Sequence, residues 1–137
     1  MLYEDSEALK YCGYQGMSCS GVTSMGSAVY YEKDSGKDTR FTLLAYDSVD
    51  NAKVGMKTFV AHRHEAAGDK LKPLSVQAGA DETDAYAKEN ASSAILRVGT
   101  VVAYVAAPEL KPKDLQTLAK LQVDRIKVAA TGKSPDA

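Results

Sequence analysis

Tryptophan is missing from this chain, and only two phenylalanines, two cysteines and two histidines are present. A zinc centre with four nitrogen or sulfur ligands would need every one of those cysteines and histidines. No window approaches the roughly 20 consecutive apolar residues that a membrane-crossing helix requires. Lysine and arginine number 17 against 18 acidic residues, and the two signs are interspersed with no basic cluster. Nucleic acid is thereby excluded as a partner, because phosphate binding needs a cationic face to displace counterions. There is no Walker loop and no Gly-x-Gly-x-x-Gly, so no nucleotide cofactor is expected. There is no Gly-x-Ser-x-Gly elbow to present a nucleophile. Cysteines in a Cys-x-x-Cys redox pair are absent as well, since six residues separate Cys12 from Cys19.

What remains is ordinary globular composition, with 45% hydrophobic and 26% charged residues in 137. A chain of this length buries about two-thirds of its unfolded surface and needs no metal to fold. We expect one domain over residues 1–130 and a flexible polar tail over 131–137, starting near Gly132. The opening Met1-Leu-Tyr-Glu-Asp-Ser-Glu is acidic and has none of the basic-then-apolar layout of a signal peptide. Two readings follow: a cytoplasmic protein, or a domain whose export signal was removed ahead of Met1.

Hydrophobic periodicity gives the elements. Residues 4–11 suit a short N-terminal helix, with Leu2, Ala8, Leu9 and Tyr11 on one side. Gly13, Gly16 and Gly21 then interrupt regular structure. Residues 27–33 and 39–46 are rich in Val, Tyr, Phe and Thr, and Asp34-Ser-Gly-Lys-Asp between them has turn chemistry, so they form a hairpin. A helix follows from an N-cap at Asp47 or Ser48, with Val49, Ala52, Met56, Phe59, Val60 and Arg63 on its inner stripe and Gly68 as its stop. Gly55 inside it costs up to about 1 kcal/mol relative to alanine, a cost that close approach to the sheet would explain. A short strand runs from Pro73 through Val76, and another covers 83–88.

The clearest local signal is Ala94-Ile-Leu-Arg-Val98, Gly99-Thr100, Val101-Val-Ala-Tyr-Val105. A two-residue turn with glycine first pairs Val98 with Val101 and Leu96 with Ala103. Ala94, Leu96, Val98, Val101, Ala103 and Val105 then share a core face. Ile95, Arg97, Val102 and Tyr104 share the other, which is either partly wet or supplies Arg97 with a buried partner. A last helix over 112–130 has Pro112 near its start and Leu115, Leu118, Ala119, Gln122 and Ile126 inside, widened by Leu121 and Val128. The order implies an α+β fold, an antiparallel β-sheet of about five to six strands packed by two main helices.

Three stretches share a layout with a known group: Gly79-Ala-Asp-Glu-Thr-Asp-Ala-Tyr86, Leu96-Arg-Val-Gly-Thr-Val-Val-Ala-Tyr-Val105 and Leu118-Ala-Lys-Leu-Gln-Val-Asp-Arg-Ile126. The chain resembles actinobacterial extracytoplasmic lipoprotein and sensor-type domains, including the external domain of certain receptor serine/threonine kinases, over about 76–128. Gly79-Ala80-Asp81-Glu82 is one residue longer than the pattern, and no lipid-attachment cysteine precedes the domain. The resemblance implies a secreted or lipid-anchored protein that binds or senses, and it carries no catalytic residue across.

Cys12 and Cys19, with glycines between them, form a disulfide in an oxidising compartment, worth about 2.5 kcal/mol by loop entropy; in a cytosolic protein they are free thiols. His62 and His64 lie roughly 200° apart around a helix, which prevents both from readily ligating one metal, and they read as solvated helix-end residues. Asp81, Glu82 and Asp84 lack the spaced oxygens of an EF-hand and read as a solvated turn. No metal, cofactor or catalytic residue is expected. Tyr30 and Tyr31 are adjacent on a strand, and with Arg97 and Tyr104 they make the best candidate binding surface. The leading expectation is a non-enzymatic extracytoplasmic binding or sensor-like domain for an unknown small ligand or protein partner. The alternatives are a small cytosolic enzyme, hydrolase-like with a loop-built site, and a protein-interaction module such as an inhibitor or a homodimer-forming adaptor.

Overall fold

The computed structural model describes residues 2–3, 12–13, 17–32, 37–89, 91–108 and 112–130. Among the described residues seven strands form one sheet in the order β1-β2-β3-β7-β6-β5-β4, every neighbouring pair antiparallel. They are β1 (Leu2–Tyr3), β2 (Val22–Glu32), β3 (Lys37–Tyr46), β4 (Leu71–Leu74), β5 (Glu82–Lys88), β6 (Ala91–Val98) and β7 (Val101–Pro108). Helix α1 (Val49–Ala67) follows β3, and helix α2 (Pro112–Ala130) follows β7. This is an α+β fold with two helices on an antiparallel sheet, as the sequence predicts.

The β6–β7 turn has the predicted register, with Val98 opposite Val101, Leu96 opposite Ala103 and Gly99 at φ 58°. Both faces of this hairpin are buried. Ala94, Leu96, Ala103 and Val105 pack with Leu115, Ala119, Val123 and Ile126 of α2. Ile95 and Val102 pack on the opposite face with Leu44 of β3 and Ala52, Met56 and Phe59 of α1. One helix therefore lies on each face of the sheet. That is why the central strands carry apolar residues at both parities rather than alternating cleanly with polar ones.

Several sequence expectations are corrected. Leu2 lies in β1, paired with Gly26, and not on a helix; residues 4–11, the first hairpin's turn at 33–36 and the tail at 131–137 lie outside the described residues. Strand β2 begins at Val22, five residues before the expected start, with a register shift between Val22 and Ser24. Strand β4 is Leu71–Leu74 rather than a strand from Pro73 through Val76. Its partner is β5 alone, so Pro73 sits on an edge strand where a missing N–H is tolerated. Val49 on α1 and Leu121 and Val128 on α2 are exposed, and Val123 takes the inner place instead.

Local chemistry explains the ends of α1. Ser48 is the N-cap, its side chain accepting from the Asn51 N–H at 3.1 Å, while the Asp47 carboxylate accepts from the Asn51 side chain at 2.8 Å. Gly68 closes the helix at φ 64°, its N–H donating to the His64 carbonyl. The cysteine-bearing segment clamps α1 to the end of β3. The Ser18 N–H donates to Thr58 Oγ1 at 2.8 Å, and the Tyr46 hydroxyl donates to the Ser18 carbonyl at 3.1 Å. Cys12 is fully buried against the same cluster.

Candidate functional site

Helix α2 does not cover its whole face of the sheet. Leu115, Ala119 and Val123 are fully buried in the cluster that holds Ala94, Leu96 and Ala103. The neighbouring stripe, Gln122, Arg125, Ile126 and Ala129, recurs at i, i+3, i+4 and i+7, so it shares one side of the helix. That side looks across to β2 and β3 and leaves a groove of about 730 Å³, with Ala28, Phe41, Leu43 and Val101 on the sheet side and the Gly99-Thr100 turn in its wall. The volume and the apolar lining with few polar groups are those of a small-molecule site.

Ser27 and Thr100 add hydroxyls to the lining, and two larger polar side chains come from the helix. Gln122 is only 9% exposed, and Arg125 is half-buried. Neither has a side-chain hydrogen-bond or ion-pair partner among the described residues, and neither carries a buried unsatisfied polar atom, so their polar ends are open to solvent. The sequence places Gln122 on the inner stripe and Arg125 in the helix stretch that carries the resemblance, and gives neither a binding role. A glutamine among the leucine, alanine and isoleucine of the predicted inner stripe was the available signal.

The residues singled out from the sequence lie elsewhere. Arg97 and Tyr104 are on the opposite face, under α1. The Arg97 side chain is 7% exposed and pairs with Glu82 through Nε and with Asp81 at 3.6 Å, and its Nη1 donates to the Gly99 carbonyl at 3.0 Å. Asp81 also accepts from the Gly99 N–H at 2.8 Å, so these charges tie the β6–β7 turn to the start of β5. Tyr104 packs edge-on against Phe59 at 5.1 Å, lies 5.3 Å beneath the Arg63 guanidinium and meets Ser93 Oγ at 3.4 Å. The backbones of Tyr30 and Tyr31 pair with Thr39 and Asp38; their side chains lie outside the described residues.

The acidic turn and the helix-end histidines are not simply solvated, as the sequence suggested. Asp84 meets His64 Nε2 at 2.7 Å, and His64 packs edge-on against Tyr86, whose hydroxyl accepts from Arg63 Nε at 3.2 Å. His62 is exposed. Among the described residues no three His, Cys, Asp or Glu side chains converge on a common point. Cys12 and Cys19 are joined, with Cα atoms 5.7 Å apart.

Burial sets the ionisation of two tyrosines near α1. Tyr46 is pushed up to about 12 by loss of hydration, and Tyr104 is raised mainly by the same cause, partly offset by Ser93 and Arg63. For Tyr46 the unfolded chain ionises first, near 10.0, so the contribution present below that pH is lost as pH rises towards 12. In a tyrosinate absorbance titration of the native protein, Tyr46 is expected to stay un-ionised at about pH 11. Tyr46→Phe should remove amplitude only from the late phase; removal from the main phase near pH 10 would contradict the burial.

No described helix is long and apolar enough to cross a membrane. No family model matches the chain, and no curated protein sequence matches it. Among solved structures it is similar to the extracellular domain of PknH from Mycobacterium tuberculosis, with a TM-score of 0.57 at 16% identity. The match covers 78% of this chain and 66% of that one, so the chain spans just under two-thirds of its neighbour's length and shares its fold.

Proposed function

We propose that this chain is a non-enzymatic extracytoplasmic binding or sensor-like domain, secreted or membrane-tethered, whose ligand occupies the groove between α2 and β2–β3. One observation carries the reading: a 730 Å³ groove, mostly apolar, with Gln122 and Arg125 in its wall. The extracellular domain named above supports it through the fold, and the resemblance of residues 76–128 to extracytoplasmic sensor-type domains supports it through sequence. Arg97, buried, and Tyr104, partly buried, enter as supports of the sheet whose other face carries the groove. Tyr30 and Tyr31 belong to β2, the strand that supplies Ala28.

A neutral apolar fluorophore, Nile red, tests the groove. Saturable binding is expected, and Ala28→Trp should abolish it while leaving the circular dichroism spectrum unchanged, because Ala28 is exposed and the indole would fill the groove. Absent saturation, or binding indifferent to Ala28→Trp, would remove the reading.

The compartment is tested through Cys12–Cys19. Closing so short a loop stabilises by about 2.5 kcal/mol through the unfolded state. Cys12→Ser with Cys19→Ser is expected to lower Tm by roughly 7–10 °C, and dithiothreitol should do the same to the parent protein only. A dithiothreitol-insensitive Tm would detach the disulfide from the argument for an oxidising environment.

A further inference from the structure

We infer that the groove takes a single-chain amphiphile with a carboxylate head, the head on Arg125 and Gln122 and the chain along Ala28, Phe41, Leu43 and Ile126. The inference rests on the groove being the ligand site, and it names the class of ligand.

Charge selects the head. Arg125 is the one charged side chain among the described residues that line the groove, so the local field favours an anion. The helix dipole does not account for an arginine there. Dipole stabilisation is confined to the last turn, and five residues of α2 follow Arg125. Gln122 lies one turn earlier on the same side of the helix, 9% exposed and without a partner among the described residues. The Gln122 amide is not a buried unsatisfied group, so it stays open towards the groove, and its NH₂ group one turn from the Arg125 guanidinium offers a second donor that a carboxylate accepts. One cation matches a carboxylate's single charge. A phosphate monoester carries about 1.5 to 2 charges and would be left under-compensated.

The walls select the rest of the ligand. Phe41, Leu43, Val101 and Ile126 offer no hydrogen bonds to a sugar or a peptide backbone, but they favour alkyl surface removed from water. A ligand with one charged end and a flexible apolar body satisfies both parts of the lining at once.

Displacement of Nile red from the full chain by decanoate, decan-1-ol and decyl phosphate, each below its micellar concentration, is the test. Decanoate should displace roughly tenfold more tightly than the alcohol, the increment expected of one charge-assisted pairing, and at least as tightly as the phosphate. Arg125→Gln should erase the difference between acid and alcohol, and Gln122→Leu should weaken the acid alone. The inference is overturned if acid and alcohol compete equally, if Arg125→Gln leaves the acid unaffected, or if the phosphate binds tighter. Nile red binding that survives those outcomes, still blocked by Ala28→Trp, would leave the groove as a site and discard only the carboxylate. If Ala28→Trp instead dissolves a dimer seen by light scattering, the groove's occupant is a second copy of the chain, and the ligand class falls with the site.

Discussion

Gly55→Ala is expected to melt roughly 6–12 °C below the parent protein, a loss of about 2–3 kcal/mol, although alanine is the better helix former. Propensity alone predicts a gain of up to about 1 kcal/mol at a mid-helix glycine. The packing reverses the sign. A Cβ on Gly55 would overlap the Tyr46 hydroxyl and its Cζ atom. Tyr46 has little room to retreat, being 3% exposed with its hydroxyl bonded to the Ser18 carbonyl, and Ser18 is in turn bonded to Thr58. The methyl group therefore displaces α1 from β3, or it breaks the hydrogen bond that holds the cysteine-bearing segment. Chemical denaturation of Gly55→Ala, Tyr46→Val and the double variant resolves the cause. The double variant should be less destabilised than the sum of the singles, because the smaller side chain removes the obstacle. A Gly55→Ala protein as stable as its parent would show that α1 does not need this close approach.

The same glycine marks how far the sequence could be read. Its cost to the helix was visible, and close approach to the sheet was the natural explanation; that the neighbour is Tyr46 follows only from packing between elements. The Gly99-Thr100 turn was legible in full, because two residues with glycine first fix register locally. Arg97 was legible as a problem. A charge among Ile95, Val102 and Tyr104 demanded water or a partner, and the partners came from Asp81 and Glu82, over ten residues upstream. The edge of α1 was misread at Val49 because an apolar residue at helical spacing near an N-cap can still face solvent. The groove was not legible. It exists because α2 lies over β6 and β7 and leaves β2 and β3 open, a consequence of strand order that no local pattern encodes.

The Arg97 cluster yields the second large effect, and it is asymmetric. The Arg97 side chain is 7% exposed, whereas the side chains of Asp81 and Glu82 are 55% and 46% exposed. Removing the arginine leaves two carboxylates that water can solvate; neutralising the carboxylates leaves a cation that water barely reaches. Breaking a buried pair from one side costs about 3–5 kcal/mol when the remaining charge is uncompensated, while apolar replacement of the buried member is often close to neutral. Asp81→Asn with Glu82→Gln is therefore expected to lose about 2–4 kcal/mol, the lower end applying if the guanidinium keeps the Gly99 carbonyl as its acceptor. The asparagine oxygen still accepts from the Gly99 N–H, so the turn keeps that bond and the loss reports charge. Arg97→Met, similar in length and apolar on an otherwise apolar face, should cost no more than about 1 kcal/mol. Adding Arg97→Met to the neutralised pair should then recover most of the loss, which urea denaturation of the four proteins would measure. If Arg97→Met is the most damaging change and rescues nothing, the cluster acts through the arginine's hydrogen bonds, and the stranded-charge account of this face is wrong.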